Sequence, residues 1–355
     1  MISMFAAAAI SFTVSILGTP YAIRRLRSAN IGQFIQEEVE GHSHKHGTPT
    51  MGGIVIIVAV VAGYVFSHVA LWTRASGAGI TLLGFTTGGG LAMLAFVGMG
   101  VIGFLDDYQK VRNERNLGLN KRGKFGGQLL IAAIFAFALY SIEFPFELSF
   151  TRSIGITLPV WLFIIWALFL LTAFANAVNF TDGLDGLASG SSALVFAAYM
   201  VITFWIFRNP DFYGQVVARE LSALDLARFA AALLGATLGF LWWNAAPAKI
   251  FMGDVGSQSL GGGMAALALL TNTQLLLPVL GGLFVMEATS VVLQIASFRL
   301  FGKRIFRIAP IHHHFEMVNW PETTIIVRFW IIAAMCVAVG LGFFYGDFVT
   351  AGGIS

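Results

Sequence analysis

The fold class this sequence predicts is all-α: a polytopic integral membrane protein with about ten transmembrane helices. Three observations predict it. The composition is 57% hydrophobic and 11% charged, with mean hydropathy +0.81, whereas soluble domains carry about 25% charged residues. Several apolar stretches reach the ~20 residues that a helix needs to cross the hydrocarbon core. Most of these stretches show no charged face at helical spacing, the pattern of a helix surrounded on all sides by lipid or protein. Together they exclude a large soluble helical protein.

The apolar runs fall at about 1–22, 52–72, 80–105, 127–142, 158–178, 187–207, 229–243, 258–275, 278–298 and 325–346. The first is followed, not preceded, by Arg24, Arg25 and Arg27, which suits a retained first helix with its N-terminus outside the cytoplasm rather than a cleaved leader. The 229–243 run is short, and 278–298 is interrupted by Glu287. No internal repeat and no low-complexity linker stands out, so residues 1–355 read as one transmembrane domain. Ten spans place 16 of the 21 Lys and Arg residues on one side. The positive-inside rule makes that side cytoplasmic and both termini extracytoplasmic. A net charge of +3 is too small to suggest nucleic acid as a partner. The single cysteine, Cys336, lies in the last run. It excludes an intrachain disulfide and cannot make a zinc site by itself.

The cytoplasmic loops, 23–51, 106–126, 179–187, 244–257 and 299–324, hold every motif with chemical character. Asp106-Asp107 closes the third span; adjacent carboxylates repel and favour a cation or a raised pKa. Lys110, one turn on, offers a local ion pair as the plain alternative. Asn179-Phe-Thr-Asp-Gly-Leu-Asp-Gly186 carries Asp182 and Asp185 on a run too short for an EF-hand. A structural turn would not need both carboxylates and Asn179. In Asn244 to Ser257, Gly253 and Gly256 flank Asp254, so backbone can approach a ligand closely. A carboxylate there suits Mg²⁺, which takes one or two carboxylates and shares its other sites with water and phosphate; a helix-capping Asp is the alternative. His312, His313 and His314 lie near Arg299, Lys303, Arg304 and Arg307. Adjacent side chains point apart, so hydrogen bonds to a pyrophosphate fit better than one shared metal. Lys45, beside Gly47-Thr-Pro-Thr-Met-Gly-Gly53, is a better phosphate contact than the solvated His42, His44 and His46. Glu287 is the one carboxylate deep in a span. It is a functional candidate by default, against a helix-packing role, and Gln294, two turns on and near the cytoplasmic end, is within reach of the same site.

Five motifs together, Gly47–Gly53, Asp106–Lys110, Asn179–Gly186, Phe251–Ser257 and Pro310–Glu316, resemble those of the phospho-N-acetylmuramoyl-pentapeptide transferase family. This is a branch of the polyprenyl-phosphate N-acetylhexosamine-1-phosphate transferase superfamily. The motifs span most of the chain in the family's order. The resemblance implies transfer of phospho-MurNAc-pentapeptide from UDP-MurNAc-pentapeptide to undecaprenyl phosphate, giving lipid I and UMP with Mg²⁺ as cofactor. It also implies a bacterial plasma-membrane enzyme, a cytoplasm-facing cleft and a homodimer. By motif match, Asp106, Asp107, Asp254 and His313 form the catalytic set, and Asp254 holds the metal. Asp106 is the candidate for general base or for binding the carrier phosphate. Asn179, Asp182, Phe251 and Gln294 shape the uridine and diphosphate site. Lys45, Thr48, Lys110, Lys124, Asp185, Asn244, His312 and His314 complete the substrate-binding set. A sister transferase with another UDP-sugar is the nearest alternative. An ion-coupled transporter is a more distant one, because transporters place ionisable groups near the bilayer midplane, and here the acids crowd one surface.

Overall fold

The computed structural model describes residues 1–29, 31–32, 47–70, 81–82, 84–113, 118–214 and 221–352. Lys45, His42, His44 and His46 lie outside them. Ten helices take up the ten apolar runs in order: α1 (Ile2–Ser28), α2 (Gly53–Phe66), α3 (Thr87–Arg112), α4 (Lys121–Ser141), α5 (Val160–Thr181), α6 (Leu187–Arg208), α8 (Ala223–Asn244), α9 (Gly253–Leu270), α11 (Gly282–Phe301) and α13 (Glu322–Thr350). Three one-turn helices join them: α7 (Pro210–Tyr213), α10 (Leu277–Leu280) and α12 (Ile311–Glu316). Among the described residues, eight helices are long and apolar enough to cross a membrane; α2 is apolar but shorter. The chain is thus an all-α, polytopic membrane protein.

Several helix ends run past the apolar runs, and this matters for the site. The third helix continues through Asp106, Asp107 and Lys110 to Arg112. The fourth starts at Lys121, capped by Asn120, whose Oδ1 accepts the Gly123 amide at 2.6 Å, and so includes Lys124. The helix over 258–275 begins earlier, at Gly253, and puts Asp254 in its first turn. The short 229–243 run is extended to Ala223 because Asp225 and Arg228 are buried partners rather than loop residues. The 278–298 run is split at Gly281 into α10 and α11. Two small antiparallel ribbons were not foreseen: β1 (Val69–Ala70) with β2 (Thr81–Leu82), and β3 (Glu147–Ser149) with β4 (Ser153–Thr157). Both are too short to carry an alternating pattern.

Small residues decide which helices meet. The buried face of α1 is Met4, Ala7, Ser11, Ser15, Thr19 and Ile23, at helical spacing, and it packs against α2 and α8. A Cβ on Gly235 would lie 2.1 Å from the Ala8 carbonyl oxygen, and Gly63 leaves room for Ser11, whose hydroxyl donates to the Ala59 carbonyl at 2.9 Å. Close backbone approach of this kind drives helix association in lipid, where apolar surface alone gives no preference. The ninth helix is buried along its whole length from Val255 to Leu270 and packs on α2, α3 and α5. Its run of Gly261, Gly262 and Gly263 suits a central helix rather than one facing lipid.

The two ends of the bundle differ in chemistry. At one end lie the start of α1, the end of α2 and the starts of α3 and α8. There His68 Nε2 and Asp225 Oδ1 are 2.7 Å apart, Tyr64 and Thr86 donate to Asp225 Oδ2, and Arg228 Nε donates to Ser3. At the opposite end lie the ends of α3, α5 and α8 and the starts of α2, α4, α6 and α9, with the acidic motifs.

Candidate active site

Backbone contacts between glycines bring the acidic motifs together. A Cβ on Gly103 of α3 would stand 2.1 Å from the Asp254 carbonyl oxygen, and one on Gly53 of α2 would stand 2.1 Å from the Gly256 nitrogen. The first turn of α9 therefore lies directly against both helices. Segment 49–53 is tied to it by three backbone bonds: Phe251 N–H to the Pro49 carbonyl, Gly52 N–H to the Phe251 carbonyl and Gly53 N–H to the Met252 carbonyl, all 2.8–2.9 Å. Gly253, at φ +71°, makes the turn into the helix with its α-carbon beside the Asp107 carboxylate. The Gly-Thr-Pro-Thr-Met-Gly-Gly motif thus braces the aspartate motif, and Thr48 sits half-buried in that brace.

The result is a cluster of Asp106, Asp107 and Asp254, with carboxylate oxygens within 4.8 Å of one another. Lys110 Nζ lies 2.6 Å from Asp106, 3.3 Å from Asp107 and 3.2 Å from Asp254. Lys124 pairs with Asp254 and stands 3.9 Å from Asp106. The Val255 amide donates to Asp107 at 3.1 Å and the Leu119 amide to Asp106 at 2.9 Å. Asn179, in the last turn of α5, donates at 2.8 Å to both Asp254 and the Ser257 hydroxyl. By formal count three carboxylates face two ammonium groups, one more acid than base among partly buried side chains. This is a surrounding that attracts a hard cation. Among the described residues this is the group of acids or histidines placed to hold a metal.

Asp182 sits just past the end of α5. Burial, then the negative charges of Asp254, Asp107 and Asp185, push its pKa up to about 8. Asp185 is more structural. Its Oδ2 accepts the Ala248 amide at 2.8 Å, and its own amide donates to Glu322 at 3.1 Å. Asn244 is likewise engaged, accepting from Ser189 at 2.7 Å and donating to the Ile250 carbonyl at 3.0 Å. The two side chains fix the 245–250 turn, which carries Lys249 and leads to the half-buried Phe251.

The three adjacent histidines point three ways, as adjacent positions on a short helix must. His312 is fully buried, with Nδ1 3.1 Å from Glu287 Oε2. It also packs on Gly183, where a Cβ would lie 2.3 Å from its Nε2. His313 pairs with Glu316 and is partly exposed. His314 Nδ1 accepts the Arg307 amide at 3.1 Å. Glu287, the intramembrane acid, therefore has a histidine partner from the last motif. Gln294 does not join it: its Oε1 accepts the Ile305 and Phe306 amides, both at 3.0 Å, and its Nε2 donates to the Phe306 carbonyl. Gln294 thereby holds the basic 303–307 loop onto α11. Sequence reasoning passed over Ser257, the buried amides Gln128 and Gln258, and the half-buried Asn176. The available signal was their spacing, one helical turn from Lys124, Asn179 and Asp254.

Comparison with known proteins agrees with this geometry. The model for glycosyl transferase family 4 matches residues 90–272, which contain all three clustered aspartates. The phospho-N-acetylmuramoyl-pentapeptide-transferase signature 1 matches residues 45–57. The chain is 47% identical over 362 residues to the phospho-N-acetylmuramoyl-pentapeptide-transferase of Frankia casuarinae, covering 98% of each chain. It is 46% identical to the protein of that name from Saccharopolyspora erythraea, covering 99% of this chain and 98% of the relative. The corresponding figure for Streptomyces griseus is 46%, covering 96% of each.

Proposed function

The chain belongs to the phospho-N-acetylmuramoyl-pentapeptide-transferase family, and from that premise we propose that it transfers phospho-MurNAc-pentapeptide from UDP-MurNAc-pentapeptide to undecaprenyl phosphate. The products are lipid I and UMP. The observation that carries this reading is the convergence of Asp106, Asp107 and Asp254 with Lys110 and Lys124 at one end of a membrane bundle. A lipid acceptor stays in the bilayer while a nucleotide sugar arrives from the cytosol. A cytoplasm-facing site in the bacterial plasma membrane serves both.

An oxygen of the carrier phosphate attacks the phosphorus that bears the sugar. The bond from that phosphorus to the bridging oxygen breaks, and UMP leaves with the electron pair. Phosphoryl transfer is mostly positioning and charge neutralisation. Lys110 and Lys124 offset the diphosphate charge, and Asp106 and Asp107 lie where the carrier phosphate would be oriented. Direct attack needs no covalent link to the enzyme; isolation of a phospho-sugar adduct on either aspartate would overturn that step. The donor set fits Mg²⁺, with hard oxygens and one more acid than base by formal count, and Asp254, flanked by Asp106 and Asp107, would hold it. When bound, the ion would supply Lewis-acid stabilisation of the charge that develops on the donor's diphosphate as UMP leaves. Phe251 offers an aromatic face to the uracil, and His313 and His314 border the cleft.

The test is UMP release by the purified protein with both substrates and Mg²⁺, beside Asp254→Asn. Release should need both substrates and the metal, and should fall by about a hundredfold or more in the variant, the scale of losing a central electrostatic contact. No release from folded, lipid-supplied protein would reject the assignment.

A further inference from the structure

Directly beneath the aspartate–lysine cluster lies a second polar layer that the transfer chemistry does not touch. Gln128 on α4 is four residues after Lys124, Asn176 on α5 is three before Asn179, and Gln258 on α9 is four after Asp254. Residues at these spacings share a helix face. On three of the cluster's four helices, α4, α5 and α9, the layer therefore repeats it one turn deeper in uncharged amides. Gln128 Nε2 donates to Gln258 Oε1 at 3.0 Å, and Asn176 Nδ2 donates to Gln128 Oε1 at 2.9 Å and to the Thr172 carbonyl at 2.8 Å. Gln128 and Gln258 are 1% and 0% exposed. Among the described residues, Gln258 Nε2 has no hydrogen-bond partner although it is buried. Apolar side chains of similar size at both Gln128 and Gln258 would avoid that unmade bond, so stability alone does not account for the amide pair.

We propose that the Gln128–Asn176–Gln258 layer is a positioning device, setting the rotation and depth of α4, α5 and α9 so that Lys124 and Asn179 both meet Asp254. The fourth helix packs against α3 and α5 and reaches α9 through two side-chain bridges, Lys124 to Asp254 and Gln128 to Gln258. A lysine on a flexible stem does not define a helix rotation by itself. Its ammonium group already stands 3.9 Å from Asp106, a second acceptor within reach. Amide hydrogen bonds are directional and short-ranged, and in apolar surroundings a displaced amide finds no replacement partner. The layer thus selects the register in which Lys124 serves Asp254. The catalytic consequence rests on the transferase reading; the geometric core does not.

The experiment compares Gln258→Leu, Gln128→Leu, the double variant and the parent in detergent, with Gln258→Met and Gln128→Met as second choices should leucine disturb folding. Three quantities are read: the thermal midpoint, the rate of Lys124 acylation by acetic anhydride relative to Lys249, and UMP-release kinetics. Lys124 acylation should accelerate several-fold in every variant, while the thermal midpoint should fall in each single, which strands the partner amide, and recover in the double, which removes both. The turnover number should fall by roughly tenfold or more, the scale set by outer-shell partners, with KM for the nucleotide sugar little changed. In acylation and turnover the double variant should match Gln128→Leu, since both singles break the Gln128–Gln258 bond and Gln128→Leu alone also breaks the bond from Asn176. Unchanged Lys124 acylation in the folded variants, or additive effects of the two substitutions, would overturn the proposal. Faster Lys124 acylation in the variants of a parent that itself releases no UMP would uphold it and reject the transferase reading.

Discussion

At the scale of single residues, Asp182 is the most sharply testable. Its carboxyl is pushed up to about 8 from an ordinary 3.8 by burial and by Asp254, Asp107 and Asp185. The folded protein therefore holds a proton that the unfolded chain has released between those two values. By linkage, the contribution is fully present below 3.8 and is lost as pH rises toward 8. Asn mimics the neutral form and does not titrate. The thermal midpoint of the metal-free parent should accordingly fall relative to Asp182→Asn as pH rises through this window, and level off above it. Parallel curves for the two proteins would show that Asp182 is ionised throughout. The residue types at the site were legible in the sequence: Asp106, Asp107, Asp254, Asn179 and Lys124 all converge as the motifs suggest. The direction of individual side chains was not. Nothing in Pro-Ile-His-His-His-Phe-Glu says that His312 turns inward to Glu287, because that depends on a one-turn helix and on the space above Gly183. Gln294 looked like a partner for Glu287 by spacing, yet a loop eleven and twelve residues on claims its amide.

At the scale of elements, the site depends on how closely α3 and α9 approach. Gly103 is the contact point, since a Cβ there would stand 2.1 Å from a backbone oxygen that cannot swing away. Gly103→Ala should push the first turn of α9 outward. Overpacking of this kind costs about 1–3 kcal/mol, and the movement separates Asp254 from Asp106 and Asp107. Thermal stability and UMP release should therefore drop together, while Gly90→Ala on the same helix, with nothing within 4 Å of its new methyl, should change neither. A stable but inactive Gly103→Ala protein would mean that the helices absorb the methyl and that only the carboxylate geometry is sensitive. The existence and order of the ten helices were legible from apolar length, because lipid demands it. Their ends were not, because a helix that enters a polar cleft keeps its hydrogen bonds after its apolar run has stopped. Asp106, Asp107, Lys124 and Asp254 were therefore expected in loops and instead stand on helix ends, which hold them more rigidly.

At the scale of the whole molecule, the segregation of chemistry between the two ends of the bundle calls for an orientation. The aspartate–lysine cluster, the histidine helix and the 303–307 basic loop share one end, and the His68–Asp225–Arg228 network occupies the other. The proposed function requires the cluster end to face the cytoplasm, in keeping with the excess of Lys and Arg there and the positive-inside rule. Two exposed residues can report it: Lys249, on the turn before α9, and Ser153, at the start of β4 beside the Arg152–Asp347 ion pair. Lys249→Cys and Ser153→Cys, each made in a Cys336→Ser background, should react differently with a membrane-impermeant maleimide on intact cells. Ser153→Cys should label at once, and Lys249→Cys only after permeabilisation. The reverse pattern would turn the bundle over, placing the cluster on the face where no nucleotide sugar arrives, and the transferase assignment would fall with the orientation. Labelling of both on intact cells would show that an odd number of crossings does not separate them, which would break the ten-span topology between β4 and α9 even if the cluster itself stayed intact.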